Sequence, residues 1–145
     1  MTQKRRWLLR KNAIVFPNDF TILFVDDSHN QLSTIKRLLE KTNVKVETAL
    51  DGHEAFVKVK EFYKKGFMYM LILMDVHMPN FDGYDGTKMI RNFEEVNDYP
   101  RSYIICVTAD DTDLTLSKSK QFKMDNFMIK PISKPILYKL ISARC

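Results

Sequence analysis

Five polar residues stand where short apolar runs end. Asp26 and Asp27 follow residues 21–25, Asp75 follows 68–74, Thr108 follows 103–107, and Lys130 follows 127–129. Singly, each has an ordinary structural explanation. An Asp or Thr after a strand makes a turn or caps a helix, and a Lys reaches solvent. Together they are three carboxylates, a hydroxyl and an ammonium. Three clustered carboxylates repel one another and need a cation, and oxygen-only ligands favour Mg2+, Ca2+ or Mn2+. Mg2+ binds one or two carboxylates, keeps waters and takes phosphate oxygens as further ligands. A lysine supplies a point charge for a phosphoryl group, and a hydroxyl can donate to it. Phosphoryl transfer needs little beyond positioning and charge neutralisation. With a carboxylate as nucleophile, the product is an aspartyl-phosphate.

These residues can meet only if the runs they close are neighbouring strands. Residues 21–25 and 103–107 are short, apolar and stopped by polar residues, as buried strands are. Residues 68–74 are almost wholly apolar, as in a strand covered on both faces of a parallel sheet. Residues 44–48, where Val44 and Val46 alternate, and 127–129 complete five strands. Ser28 is placed to cap a helix carrying Leu32, Ile35, Leu38 and Leu39. After an Asp51-Gly52 turn, Ala55, Phe56, Val59 and Phe62 line one helical face. The loop 76–83 contains Pro79 and Asp82-Gly83, which mark turns. A third helix runs from Gly83 or Tyr84 to about Phe93, and Gly86 weakens it by roughly 1 kcal/mol relative to Ala. Residues 110–122 form a polar helix with only Leu114, Leu116 and Phe122 to bury. Ser133 caps the last helix, with Pro135 in its first turn and Ile136, Leu137, Leu140 and Ile141 on its apolar face. Strands alternating with helices imply an α/β fold, a parallel sheet with right-handed crossovers. In an open parallel sheet the strand C-terminal ends share one crevice, and that is where the five residues stand.

Composition narrows the class. The chain has 145 residues, 45% hydrophobic and 28% charged, enough apolar material for one compact domain. No run approaches the ~20 apolar residues that span a bilayer. The net charge of +5 points at first to an anionic partner. Residues 1–11, however, hold Lys4, Arg5, Arg6, Arg10 and Lys11 and no acid, whereas residues 12–145 hold 18 basic and 18 acidic side chains. The excess belongs to an N-terminal arm or linker, residues 1–19, and the domain proper covers 20–145. Cys106 reads as a small core residue and Cys145 is the last residue, so no disulfide framework is present. With no secretory signal at the N-terminus, the expected location is the cytoplasm.

The pattern resembles the receiver domain of two-component response regulators and hybrid histidine kinases. The matching segments are Val25-Asp26-Asp27, Met74-Asp75-Val76-His77-Met78-Pro79 with Asp82-Gly83, Val107-Thr108-Ala109, and residues 124–131. Residues 124–131 look more like receivers attached to hybrid kinases than like DNA-binding regulators. The resemblance implies a flavodoxin-like, doubly wound (βα)5 fold with strand order 2-1-3-4-5. It makes Asp75 the phosphoacceptor for a phosphohistidine on a histidine kinase or histidine phosphotransfer protein. It gives Mg2+ to Asp27, to Asp26 largely through water, to Asp75 and to the His77 backbone carbonyl. Thr108 would bond the phosphoryl oxygen, Lys130 would pair with it, and Phe127 falls at the aromatic switch position. The Lys130-Pro131 peptide is expected to be cis. Such a protein is a switch that assists its own phosphotransfer and dephosphorylation rather than a turnover enzyme by itself, although it can form part of a hybrid kinase. No direct DNA binding is expected, and a transient dimer is compatible.

Two departures stand out. His77 could overhang the acceptor or be solvated and lend only its carbonyl. Lys123 occupies a turn where receivers often carry Gly. Two competing functions remain: a receiver-like interaction module that does not signal by phosphorylation, and a haloacid-dehalogenase-like phosphatase. The first is disfavoured because all five site residues are present. The second would need a carboxylate at position 77, where His stands. Met68, Met70 and Met74 read as core packing, and Asp110, Asp111 and Asp113 as helix-start acids. No P-loop, zinc spacing or Ser/His/Asp arrangement occurs.

Overall fold

A computed structural model describes residues 8–10, 13–16, 20–78, 82–110 and 112–144. Two short strands, β1 (Leu8–Arg10) and β2 (Ala13–Val15), form an antiparallel hairpin. The main sheet holds β3 (Phe20–Val25), β4 (Val44–Ala49), β5 (Leu71–Asp75), β6 (Ile104–Thr108) and β7 (Asn126–Ile129). It runs β4-β3-β5-β6-β7, every pair parallel, which is 2-1-3-4-5 counted over these five strands. The crossovers are α1 (His29–Leu39), α2 (Gly52–Lys64), α3 (Gly83–Asn97) and α4 (Asp113–Gln121), and α5 (Lys134–Arg144) follows β7.

Alternation along the strands builds two cores. Ile22, Phe24, Leu71, Leu73, Ile105 and Val107 face one side and meet Leu32, Ile35 and Leu39 of α1 and Leu137 and Ile141 of α5. Leu23, Val25, Ile72, Met74, Ile104 and Cys106 face the other and meet Ala55 and Val59 of α2 and Tyr84 and Ile90 of α3. With both faces covered, the three central strands read as continuous apolar runs. Strand β5 starts at Leu71 rather than 68: Met68 and Met70 are only partly buried, packed against the two cores in the approach to it.

The N-terminal segment and α4 also differ from the sequence expectation, and Lys123 takes the turn conformation expected where receivers often carry Gly. The hairpin lies within the basic segment, where charge hid the apolar run Ala13-Ile14-Val15. Phe16 follows it and is fully buried. Its N–H donates to Asn43 Oδ1 at 2.8 Å and its carbonyl accepts from Asn43 Nδ2 at 3.1 Å. Its ring meets Phe20 and Tyr138 edge-on, so core packing starts at Phe16, ahead of Phe20. In α4 the buried residues are Thr115 and Ser119, while Leu114 is 78% exposed. The helix is therefore attached by hydroxyls and by flanking rings rather than by a leucine face. Lys123 does take the left-handed conformation (φ 64°). Its carbonyl accepts from Arg91 Nε at 2.9 Å and Arg101 Nη2 at 3.0 Å, which holds a non-glycine residue in that conformation.

Arg91 is itself buried. It pairs with Glu94 and Asp125, both at 2.8 Å. Glu94 Oε2 also accepts from the Tyr63 hydroxyl at 2.6 Å and from the Ser102 N–H and hydroxyl at 2.9 and 2.6 Å. Burial and the Glu94 carboxylate push the Tyr63 phenol well above its ordinary pKa, so it stays a donor. This network ties α2, α3 and the entries to β6 and β7 together at the end of the sheet away from the site.

Helices α2 and α3 cross at two glycines. A Cβ at Gly86 would lie 2.7 Å from the Gly52 Cα and 2.8 Å from its carbonyl oxygen, both backbone atoms that cannot yield without moving a helix. Helix propensity alone predicts that Gly86→Ala stabilises by about 1 kcal/mol. The crossing predicts the opposite sign, a loss of about 1–3 kcal/mol as in other overpacked cores. Urea unfolding decides it, since a raised midpoint would show that the helices separate freely.

Candidate functional site

The register of the parallel sheet gathers the sequence-predicted residues. Val25 pairs with Met74, Asp75 with Val107, and Thr108 with Ile129, so the C-terminal ends of β3, β5, β6 and β7 lie side by side. Asp26 extends β3 by one more ladder bond, its N–H to the Ala49 carbonyl at 3.0 Å, and is buried. Its Oδ1 accepts the Ser28 N–H at 2.9 Å, which turns the chain into α1. Ser28 then caps that helix by accepting from Gln31 N–H. Asp75 closes β5, is also buried, and its Oδ1 accepts the His77 N–H at 2.9 Å. Asp27 is exposed.

Lys130 reaches this pair from beyond β7. Its Nζ lies 2.9 Å from Asp26 Oδ2 and 3.1 Å from Asp75 Oδ2. Its N–H donates to the Thr108 carbonyl at 2.7 Å, and the Lys130-Pro131 peptide is cis. Carboxylate oxygens of Asp26, Asp27 and Asp75 lie within 4.8 Å of one another. Thr108 is buried at the end of β6. Its hydroxyl accepts the Asp110 N–H at 3.0 Å and donates to the Asp110 carbonyl at 3.1 Å, so its bonds are made to its own turn and not to Asp75. Phe127 is 37% exposed and the His77 side chain is exposed.

The electrostatics are those of a cluster short of positive charge. Burial raises the Asp75 pKa above the ordinary carboxylate value, and the nearby Asp26 charge adds to the rise. The His77 N–H and Lys130 pull the other way without cancelling it. Burial alone would lower the Lys130 pKa, but the two carboxylates outweigh it and the net shift is upward, keeping Lys130 charged. One ammonium faces three carboxylates, and the deficit matches a divalent cation bound through oxygen.

Sequence reasoning placed Gly83 in a turn at the start of a helix but not its contact with the site. A Cβ at Gly83 would lie 2.2 Å from the Asp75 carbonyl oxygen, so only glycine lets α3 start against the backbone of Asp75. The available signal was its place after Asp82, whose carboxylate caps α3 through the Asp85 N–H at 2.9 Å. Next in the chain, Tyr84 is buried beside Cys106. Lys118 of α4 sits 4.4 Å from the Tyr84 ring centre and Phe122 5.3 Å from it, so the start of α3 also touches α4. Residues 79–81 and Asp111 lie outside the described residues.

Comparison with known proteins identifies the family. The model of the response regulator receiver domain matches residues 22–142. The osmosensing histidine protein kinase SLN1 of Saccharomyces cerevisiae is 39% identical over 125 residues, covering 86% of this chain and 10% of the kinase. The peroxide stress-activated histidine kinase mak1 of Schizosaccharomyces pombe is 33% identical over 123 residues, 85% of this chain and 7% of the kinase. The chain thus spans a tenth or less of the length of these relatives. Among solved structures, the receiver domain of the histidine kinase CKI1 from Arabidopsis thaliana, complexed with Mg2+, matches with a TM-score of 0.75 at 29% identity, over 88% of this chain and 96% of that one. The chain belongs to the response regulator receiver domain family, and is a receiver domain of two-component signalling like those of hybrid histidine kinases.

Proposed function

We propose that Asp75 is the phosphoacceptor of this receiver. A carboxylate oxygen of Asp75 attacks the phosphorus of a phosphohistidine on a histidine kinase or histidine phosphotransfer protein. The bond from phosphorus to the imidazole nitrogen breaks, and the aspartyl-phosphate forms. The observation that carries this reading is the Lys130 ammonium set between Asp26 and Asp75 with Asp27 within reach. Asp26, Asp27 and Asp75 supply the hard oxygen donors that suit Mg2+, with the His77 carbonyl as a further ligand; the ion supplies charge neutralisation for the phosphoryl oxygens. Lys130 holds the acceptor carboxylate in place beforehand and afterwards pairs with a phosphoryl oxygen.

The response would run through Thr108. Its hydroxyl exchanges the Asp110 bonds for a phosphoryl oxygen, and Asp110 in turn holds Thr112, the cap of α4, through the Thr112 N–H at 3.0 Å. Phe127, on the adjoining strand, turns inward as Thr108 moves. The phosphoryl group biases an existing two-state equilibrium and need not create a new state. Such a switch belongs in the cytoplasm, where it meets its phosphodonor, and needs no direct DNA binding. Among the described residues no helix is long and apolar enough to cross a membrane.

Two measurements test the site. Incubation with acetyl phosphate and Mg2+ should add one phosphoryl group by intact-mass analysis. The gain should vanish in Asp75→Asn and on chelation of the metal; a gain that persists in Asp75→Asn refutes the assignment. The second test uses the raised pKa of Asp75. A carboxyl group whose pKa is higher folded than unfolded favours folding below its unfolded value, and this contribution is lost as pH rises through the folded value. In protein free of divalent cations, lowering the pH from 7 toward about 4 should therefore raise urea stability relative to that of Asp75→Asn. Parallel pH profiles for the two proteins would show that Asp75 is not the strained carboxylate.

A further inference from the structure

The molecule has two unlike ends. At the C-terminal ends of the strands stand Asp26, Asp27 and Asp75, with Glu54, Asp85 and Asp113 in the first turns of α2, α3 and α4. At the other end, the turn from α2 to β5 carries Lys64, Lys65 and Phe67, and no acid occurs from residue 62 to 74. Lys64 and Lys65 are exposed, and neither has an ion-pair partner among the described residues. Phe67 is 61% exposed.

The turn is firmly built. Gly66 takes a left-handed conformation (φ 87°) and its N–H donates to the Tyr63 carbonyl at 2.9 Å, while the Phe67 N–H donates to the Phe62 carbonyl at 3.0 Å. These are the paired bonds that close a helix C-terminus. They stack the Phe67 ring on Phe62 at 5.4 Å, and Phe62 lies on Tyr69 at 4.4 Å. Phe67 is thus the outer ring of a fixed pile of three. The chain enters the sheet beside it: Met70 N–H donates to the Thr21 carbonyl at 3.1 Å, and Phe16 docks just ahead of β3. Residues 1–11, which precede Phe16, carry five basic side chains and no acid.

We propose that this end docks on an anionic lipid surface, with Phe67 entering the interface and Lys64 and Lys65 against the headgroups. A preset aromatic ring flanked by lysines is what interfacial insertion uses, and basic residues within a Debye length are drawn to anionic leaflets. Single-stranded nucleic acid asks instead for a groove and successive stacking platforms. One cleft lies between α3 and α4 and another between α1 and α2, and neither includes this turn. Docking this way leaves the acidic site facing away from the like-charged surface and open to a phosphodonor.

Cosedimentation of the full chain with vesicles tests the proposal. Phosphatidylcholine vesicles containing phosphatidylserine should bind it, and phosphatidylcholine alone should not. Lys64→Gln and Lys65→Gln should each weaken binding about fivefold, and Phe67→Ser should weaken it further. All three variants should still be phosphorylated by acetyl phosphate, which shows the fold intact. Absence of binding to the anionic vesicles overturns the proposal. So does binding that the three substitutions leave unchanged, even if deleting residues 1–11 abolishes it, and so does capture of an RNA oligonucleotide in place of vesicles.

Discussion

The structure turns on one ammonium group. Lys130 lies between Asp26 and Asp75, and these three residues come from beyond β7, beyond β3 and at the end of β5. Two buried carboxylates this close would drive the strand ends apart or take up a proton. Lys130 removes that conflict only if β7 stops at Ile129 and β5 reaches Asp75, so strand lengths and register are bound to one electrostatic requirement. The compensation is incomplete, as the raised Asp75 pKa shows. That remaining deficit of positive charge is what a divalent cation can relieve, and it gives the site a reason to bind one.

The same topology polarises the whole molecule. In a parallel sheet with helical crossovers every helix returns against the strands, so helix N-termini gather at the strand C-terminal ends. The partial positive charge there favours carboxylates and incoming phosphate oxygens. Acids occupy the first turns of α2, α3 and α4, and Lys36, Arg37, Lys64, Lys118 and Lys120 occupy last turns at the far end. The bias toward acids at one end and bases at the other accords with helix dipoles summed in one direction, with α3, which ends on Glu94, Glu95 and Asp98, as the exception. The overall charge of +5 hides this separation.

The sequence was legible where a signal is local. Each strand end could be read because an apolar run stops at one polar residue, and the parallel topology then implied that Asp26, Asp27, Asp75, Thr108 and Lys130 converge. What was not legible depends on contacts between distant residues. The Asp82-Gly83 pair marks a turn but not that Gly83 presses on Asp75, and nothing near Gly86 says that it meets Gly52. Arg91 and Glu94, three apart on a helix, look like a surface ion pair; only the approach of Ser102, Asp125 and Tyr63 makes them a buried network. The hairpin was masked by its own charge, and Phe16 is buried because of Asn43 and Tyr138, far along the chain.

Helix α4 fits neither case, and its weakness is itself informative. Its inner face is Thr115 and Ser119, and Leu114 points to water. Lys118 and Phe122 lean on the Tyr84 ring, and Thr112 and Thr115 share the Asp110 carboxylate. A segment held by polar bonds and edge contacts opens at a lower free energy than one sealed by leucines. Its N-terminal anchor, Asp110, is also the partner of the Thr108 hydroxyl. A ligand that drew this hydroxyl toward Asp75 would remove a bond from the cap of the most sparsely packed helix, whereas α1 buries Leu32, Ile35 and Leu39, α2 Ala55, Val59 and Tyr63, and α5 Leu137, Tyr138 and Ile141. In the proposed switch, the sparse packing of α4 is what would let a displacement of one hydroxyl group change the surface.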